Sequence, residues 1–275
     1  MRLATVLLND VPTPGLLHDN DTTVFPLDYP DTVSFLAAGP EAWADVYEHP
    51  AGYVPFERIL APIANPPKLI CIGLNYRDHA VESNMELPKT PVVFTKFSNS
   101  IVGPGDTVVL PKASTQPDYE AELAIVIGKG GRNIAAADWR EHVFGYTIVN
   151  DISARDIQLG TSQWSLGKSF DTFCPMGPAI VSLDELGDPH KLAIKLSIDG
   201  EYLQDSNTDE LVFDTGDLVA YLSSIMTLTP GDIISTGTPA GVGLGRTPKR
   251  WIRPGETMTV EIQGIGKLTN PTVAE

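Results

Sequence analysis

After Lys68 the chain is a succession of short apolar runs bounded by turn residues. KLICIGLN, TPVVFTKF, DTVVLP, ELAIVIG, VFGYTIVNDIS, AIKLSID, DIISTGT and TMTVEIQG carry the β-branched, continuous or alternating patterns of strands. Three runs are introduced alike, by GPGD before Thr107, TPGD before Ile233 and RPGE before Thr257. Pro-Gly suits the centre of a type II turn, since Pro fixes its φ and Gly accepts the positive φ that follows, so each marks a chain reversal into a strand. Helical patterns are few and short, around Tyr76 to Met85, Trp139 to His142, Ser162 to Trp164 and Thr215 to Met226. The pattern predicts an α+β, mostly β fold, a mixed β-roll or barrel rather than a doubly wound α/β sheet. Residues 1–65 show weaker periodicity, with one helix around Thr32 to Tyr47 before the Pro-rich PIANPPK. They read as a small N-terminal domain and linker, leaving 66–275 as the main domain.

Composition narrows the class. With 42% hydrophobic and 20% charged residues, 24 Gly and 23 Pro, the 275-residue chain reads as a globular, turn-rich protein. A net charge of −16 and a pI near 4.6 argue against a nucleic-acid partner. No apolar run approaches the roughly 20 residues of a membrane span. MRLATVLLND lacks the apolar length and cleavage site of a secretory signal, which places the protein in the cytoplasm as an expectation. Cys71 and Cys174 are too few for a disulfide framework and form no CxxC pair, so they read as two buried thiols.

Five segments carry candidate chemistry. In DYEAELAIVIG, Glu120 and Glu122 are two apart at the head of an apolar run and would project from one face of a strand. A cation would hold both ionised, though an exposed alternating strand gives the same pattern. Asp151 ends the run VFGYTIVN, either as a third acid or as a cap for the next helix. Three carboxylates without His or Cys form an all-oxygen set suited to Mg²⁺, Mn²⁺ or Ca²⁺ rather than zinc, with Mg²⁺ or Mn²⁺ preferred. In GLNYRDHAVE, His79 and Glu82 share a helical face, so the carboxylate can orient the imidazole; a solvated surface pair is the alternative. Lys168 in SLGKSFDTFCP could polarise a substrate oxygen or pair with Asp171. In DIISTGTPAGVGLG, a strand ending at Thr238 enters a Gly-rich loop whose N–H groups could cradle a carboxylate. An anionic substrate approaching so acidic a chain needs local cations, which makes Lys96, Arg155 and Lys168 candidates.

Taken in order, NYRDHxxE, PDYExEL, VxNDISARDIQ, GKSFDTFCPMGP and TPGDIISTGTPAGVG resemble the fumarylacetoacetate hydrolase family over Lys68 to the C-terminus. The resemblance implies a mixed β-sandwich roll, usually a homodimer, acting on small anionic 2-keto or 2,4-diketo acids at a Mg²⁺ or Mn²⁺ ion. It would make Glu120, Glu122 and Asp151 the metal ligands, His79 and Glu82 a water-activating dyad on a lid, and Lys168 the residue steadying a developing enolate. Arg155, Gln158, Thr238 and Lys96 would contact the substrate. The longer animal enzymes of the family add an aspartate ligand with no secure equivalent here, so the chain looks like the shorter, three-carboxylate members.

That chemistry leads to an expected C–C hydrolysis of an acylpyruvate, with the dyad deprotonating an attacking water and the metal stabilising the enolate released. Loss of CO₂ from oxaloacetate passes through the same enolate and is the alternative, followed by isomerase or hydratase chemistry on hydroxymuconate-like acids. A metal-binding module without catalysis is the reading from another class.

Overall fold

A computed structural model describes residues 1–18, 21–48 and 52–275. The fold is α+β and mostly β, built around a twelve-stranded mixed sheet and a five-stranded mixed sheet, with few and short helices. The strands Leu69–Gly73, Ile233–Ser235, Ala121–Ile127, Val143–Asn150 and Cys174–Ser182 lie side by side in the large sheet. Among these five, successive strands pair antiparallel except Ile233–Ser235 with Leu69–Gly73, which pair parallel. The smaller sheet orders Glu201–Asn207, Ala193–Ile198, Thr257–Ile262, Gly266–Ala274 and Val108–Leu110.

Ala121–Ile127 and Val143–Asn150 are buried along their whole length, which is why their sequences are continuous apolar runs rather than alternations. Leu123, Ile125, Tyr146 and Ile148 enter the main core with Leu196 and Val260 of the smaller sheet. Ala124, Val126, Phe144 and Val149 face the other way, toward Phe35, Leu36 and Trp43 of the helices Thr32–Ala38 and Pro40–Glu48. Trp43 meets Phe144 edge-on with ring centroids 5.0 Å apart. The N-terminal helices thus cover the second face of the strands that carry the acids.

The segment before Lys68 also joins that sheet by its edge. Arg2–Leu8 pairs with Cys174–Ser182, with Leu3 opposite Ile180, and Val11–Leu17, Thr23–Pro26 and Val54–Pro55 extend the sheet outward. The helix expected around Thr32 to Tyr47 is two helices, broken at Gly39, with Asp31 capping the first through Ser34 N–H. The three Pro-Gly turns behave as their sequence dictates, with φ of 77° at Gly105, 84° at Gly231 and 89° at Gly255. Three of the expected helices reappear as Arg77–Glu82, the 3₁₀ turn Ala136–Glu141 and Thr215–Ile225, whereas Ser162–Trp164 is not helical and a single turn, Ser165–Lys168, begins just after it. Among the described residues, no helix is long and apolar enough to cross a membrane.

Candidate active site

Register assembles the acids. Glu120 precedes the strand Ala121–Ile127 and Glu122 lies within it, so their two-residue spacing turns both carboxylates to one side. Ala121 pairs with Asn150, and Asp151 N–H donates to the Glu120 carbonyl at 2.9 Å, which sets Asp151 beside them. The three side chains offer oxygens all within 4.8 Å of one another, at 4%, 1% and 0% exposure. Burial rules out the solvated strand. The helix-cap alternative for Asp151 also fails, because its carboxylate accepts from two lysines and the next helix, Arg155–Gln158, has no side-chain cap.

Cations are distributed unevenly over these acids. Arg155 Nη2 lies 2.7 Å and Lys168 Nζ 2.6 Å from the Glu120 carboxylate. Lys168 also reaches Asp151 at 2.7 Å, and Lys96 holds the other Asp151 oxygen at 2.7 Å. Glu122 receives instead the Ser235 hydroxyl at 2.5 Å and Gly237 N–H at 3.1 Å. Burial alone would raise the Glu120 carboxyl, but Arg155 and Lys168 outweigh it and hold the group far below the usual range. Burial, with Asp151 and Glu120 nearby, pushes Glu122 up to about 8. Burial opposes the charge on Lys168, yet Asp151 and Glu120 raise its pKa above the ordinary lysine value. Glu122 is therefore the acid where added positive charge gains most. With three hard oxygen donors and no nitrogen or sulfur ligand in the cluster, the residues fit a divalent cation of the Mg²⁺ or Mn²⁺ kind.

Facing the acids across one pocket is His79. Its Nδ1 is 3.2 Å from Glu82 Oε2, and the two side chains are 12% and 18% exposed, so this is a half-sheltered pair rather than a solvated one. With Nδ1 occupied by the carboxylate, Nε2 is the nitrogen left for chemistry. The supporting helix, Arg77–Glu82, has six residues and owes its position to contacts beyond itself. Asp78 accepts from Ser206 Oγ at 2.6 Å and Ala240 N–H at 3.2 Å, and Glu82 accepts from Gly241 N–H at 2.9 Å. The Gly-rich loop does cradle carboxylates, but they are the protein's own: Gly237 serves Glu122, Ala240 serves Asp78, Gly241 serves Glu82, and Gly243 and Leu244 serve Asp118.

Asp118 sits inside the PDYE motif, where nothing in its local pattern marks it out from the acids beside it. Fully buried, it accepts from Gly243 N–H at 2.7 Å, Leu244 N–H at 2.9 Å and Arg155 Nε at 2.8 Å, tying the loop to the guanidinium. Gln204 is a second such residue, with no motif to announce it. Its side chain bonds Ala121 N–H, Thr238 Oγ1 and the Pro239 carbonyl, fixing Thr238 against the acid-bearing strand. Asn75 is a third: its amide clamps Phe213 and the Thr236 carbonyl and so anchors the start of the dyad segment.

The structure thus brings most of the expected residues together. His79, Glu120, Glu122, Arg155, Gln158, Lys168 and Thr238 line the pocket, with Asp151 and Glu82 one layer back. Gln158 Oε1 accepts from Arg155 Nη1 at 2.9 Å. Lys96 is placed differently from its expected substrate contact: at 3% exposure it is outside the pocket wall, spent on Asp151 and the Ile152 carbonyl. Lys168 does not pair with Asp171, which bonds Asn99 instead. Cys71 and Cys174 are buried free thiols, and burial pushes both pKa values up.

Several known proteins are similar to this chain. The chain is 50% identical over 217 residues to a protein of Xenopus laevis named as a mitochondrial oxaloacetate tautomerase, covering 78% of this chain and 68% of the relative. Among solved structures, the fumarylacetoacetate hydrolase of Exiguobacterium antarcticum superposes with a TM-score of 0.88 at 36% identity over the whole of both chains. The 5-carboxymethyl-2-hydroxymuconate delta-isomerase of Mycobacterium smegmatis gives 0.82 at 35%, again over both whole chains. The names describe a tautomerase, a hydrolase and an isomerase on one fold. The cytoplasmic placement is corrected here, since the Xenopus laevis relative is named as mitochondrial. The lack of a secretory pattern does not distinguish the cytosol from an organelle. Residues 68–273 match the family described as fumarylacetoacetate (FAA) hydrolase C-terminal, and the chain is a member of the fumarylacetoacetate hydrolase family.

Proposed function

We propose that this chain is a divalent-metal-dependent enzyme that moves a proton between the enol and keto forms of a small 2-keto acid of the oxaloacetate type. One observation carries the reading: Glu120 and Glu122, with Asp151 behind them, share one pocket with His79, which Glu82 holds from behind, and the polar lining of that pocket also includes Arg155, Gln158, Lys168 and Thr238. The relative at 50% identity named as an oxaloacetate tautomerase supports the choice of substrate.

Glu120, Glu122 and Asp151 would hold the cation. When bound, it would supply Lewis-acid stabilisation of negative charge at the substrate's 2-oxygen. Arg155, with Gln158 on its guanidinium, receives a substrate carboxylate, and the Thr238 hydroxyl, already accepting from Gln204, can donate to an oxygen of the acid. The Lys168 ammonium lies on the same side as the acids and stabilises charge at the enol oxygen. His79 Nε2 removes the enol proton and returns a proton to the neighbouring carbon, while Glu82 keeps the imidazole oriented and supports its cationic form.

Hydrolysis of an acylpyruvate is the second reading, because the same Nε2 could deprotonate a water, and the Exiguobacterium antarcticum relative is named as a hydrolase. One assay separates the two. Enol-oxaloacetate and acetylpyruvate are incubated with the protein and Mn²⁺, following enol absorbance, pyruvate and CO₂ separately. Faster loss of the oxaloacetate enol without pyruvate or CO₂ is the expected result. Pyruvate from acetylpyruvate alone would replace the first reading with the second, and CO₂ from oxaloacetate would make the enzyme a decarboxylase.

A further inference from the structure

A stack of contacts leads from the acids to an indole that lines the same pocket. Lys168 Nζ, bonded to Glu120 and Asp151, lies 4.8 Å from the centre of the Phe94 ring. Phe94 meets Trp164 at 65° with ring centroids 5.7 Å apart. Trp164 in turn closes on the backbone of Gly73, where a Cβ would come within 2.5 Å of the indole Cζ3. Only a residue without a side chain lets the indole sit so close. All four residues line the pocket.

Local structure fixes the indole relative to the ammonium. Trp164 immediately precedes the single-turn helix Ser165–Lys168, so Trp164 and Lys168 are one turn apart on the same short element. That turn packs against the Arg155–Gln158 turn at Gly167, where a Cβ would meet Gln158 N at 2.4 Å. The distance from the cationic end to the aromatic wall is therefore set by packed backbone rather than by a mobile loop. The space enclosed is small, with a cavity volume near 110 Å³, well below the ~300–1,000 Å³ of sites that take drug-sized ligands. The lining also includes the apolar side chains Ile72, Leu159 and Met85, of which Leu159 and Met85 are 58% and 51% exposed.

We propose that Trp164, seated on Gly73, sets substrate length: it confines the site to short 2-keto acids of oxaloacetate size and excludes acids with a long apolar tail. This rests on the reading that the keto-acid end binds at Glu120, Glu122 and Lys168. Shortening the side chain opens space in a pocket whose lining includes Ile72, Leu159 and Met85, so the acids admitted are those with alkyl tails. The role is one of selection, since the contacts of the indole are with Phe94 and the backbone of Gly73.

The test compares two probes by calorimetry on the Mn²⁺-loaded protein: oxalate, too short to reach the indole, and 2-oxooctanoate, whose tail must pass it. The wild-type protein is expected to bind oxalate and to bind 2-oxooctanoate far more weakly. Trp164→Ala should leave oxalate affinity nearly unchanged and tighten 2-oxooctanoate by roughly 10–200-fold, the range one or a few methylenes command in an apolar pocket. Trp164→Leu, which keeps an apolar side chain for folding, should fall between. An unchanged ratio of the two affinities in both variants would overturn the proposal, as would loss of oxalate binding from a folded variant, which would make the indole merely structural. If the ratio shifts as expected while the wild-type protein leaves enol-oxaloacetate untouched, the length rule stands and the tautomerase reading fails.

Discussion

The two walls of the pocket are built on opposite plans. The inner wall hangs on Ala121–Ile127 and Val143–Asn150, strands buried on both faces, and its acids are held by Arg155, Lys96 and Lys168 at 2.6–2.7 Å. The outer wall stands on a six-residue helix in which Val81 is 81% exposed and which is followed by Met85 at 51%. What fixes it is a set of backbone N–H groups from the Gly-rich loop, donated to Asp78 and Glu82. A charge cluster in a close-packed core tolerates little displacement, whereas a short helix latched to a loop can be re-aimed by a few substitutions. Relatives named as a tautomerase, a hydrolase and an isomerase share this fold. On the proposed function, a rigid charge-holding wall facing a proton-handling wall on a short helix would let one architecture serve several reactions.

The sharpest way to break this division is at Glu122. Glu122→Gln is expected to abolish cation binding, read by calorimetry with Mn²⁺, and with it all activity. Its effect on stability in EDTA should have the opposite sign. A carboxyl raised to about 8 costs the fold increasing stability as pH climbs from the unfolded value of about 4.3 toward 8, because the unfolded chain is then ionised and the folded one is not. Gln carries no such cost, so the variant's melting temperature at pH 7.5 should equal or exceed that of the wild type. A marked fall would show that Glu122 serves the fold.

On the outer wall, His79→Ala should lower kcat by about 10²–10⁴-fold and leave Mn²⁺ affinity unchanged. Loss of the ion from that variant would dissolve the separation of walls. Asp118→Asn attacks the join between them, since its carboxylate is shared by Arg155 and the loop N–H groups of Gly243 and Leu244. Loss of a buried, charge-assisted bond of this kind costs about 1.5–3 kcal/mol, and the expected readout is a raised KM with a lowered melting temperature. Activity and melting at wild-type levels would show that the loop holds without it.

Smaller effects follow from pH and from the exposed face. Because Glu122 holds its proton up to about pH 8, the cation must displace it. Apparent Mn²⁺ affinity is expected to rise about tenfold per pH unit below 8 and then level off, with about one proton released per ion. The sign reverses for Glu120, whose lowered carboxyl contributes stability above its unfolded value and loses it as pH falls below. Flat affinity between pH 6 and 8 would contradict the unequal distribution of cations over the acids. Val81→Ser, on the solvent side of the dyad helix, should change stability by no more than about 0.5 kcal/mol.

What could be read from the sequence follows the same division. The strands, the Pro-Gly turns and the ExE pair obey local rules of period and turn chemistry, so Glu120 and Glu122 were legible as one face of a strand. Asp151 joined them through register, which the sequence shows only as an acid ending an apolar run. The supporting residues were not legible for a physical reason. Asp118, Gln204 and Asn75 act through long-range hydrogen bonds to backbone groups, which leave no periodic trace, and Trp164 matters because Gly73, distant in sequence, has no side chain. Lys96 misled because a cation beside an apolar strand looks the same whether it meets a substrate or a buried aspartate.

Proton transfer at the carbon next to the keto group is the central claim, and deuterium exchange there measures it directly. Oxaloacetate in deuterated buffer with Mn²⁺ is followed by NMR at C3 with wild-type protein, with His79→Ala and with EDTA. The account expects the wild-type protein to accelerate exchange well above the buffer rate, and EDTA or His79→Ala to return it to that rate while the variant still binds Mn²⁺. Exchange at the buffer rate with wild-type protein, or full acceleration by His79→Ala, would contradict it.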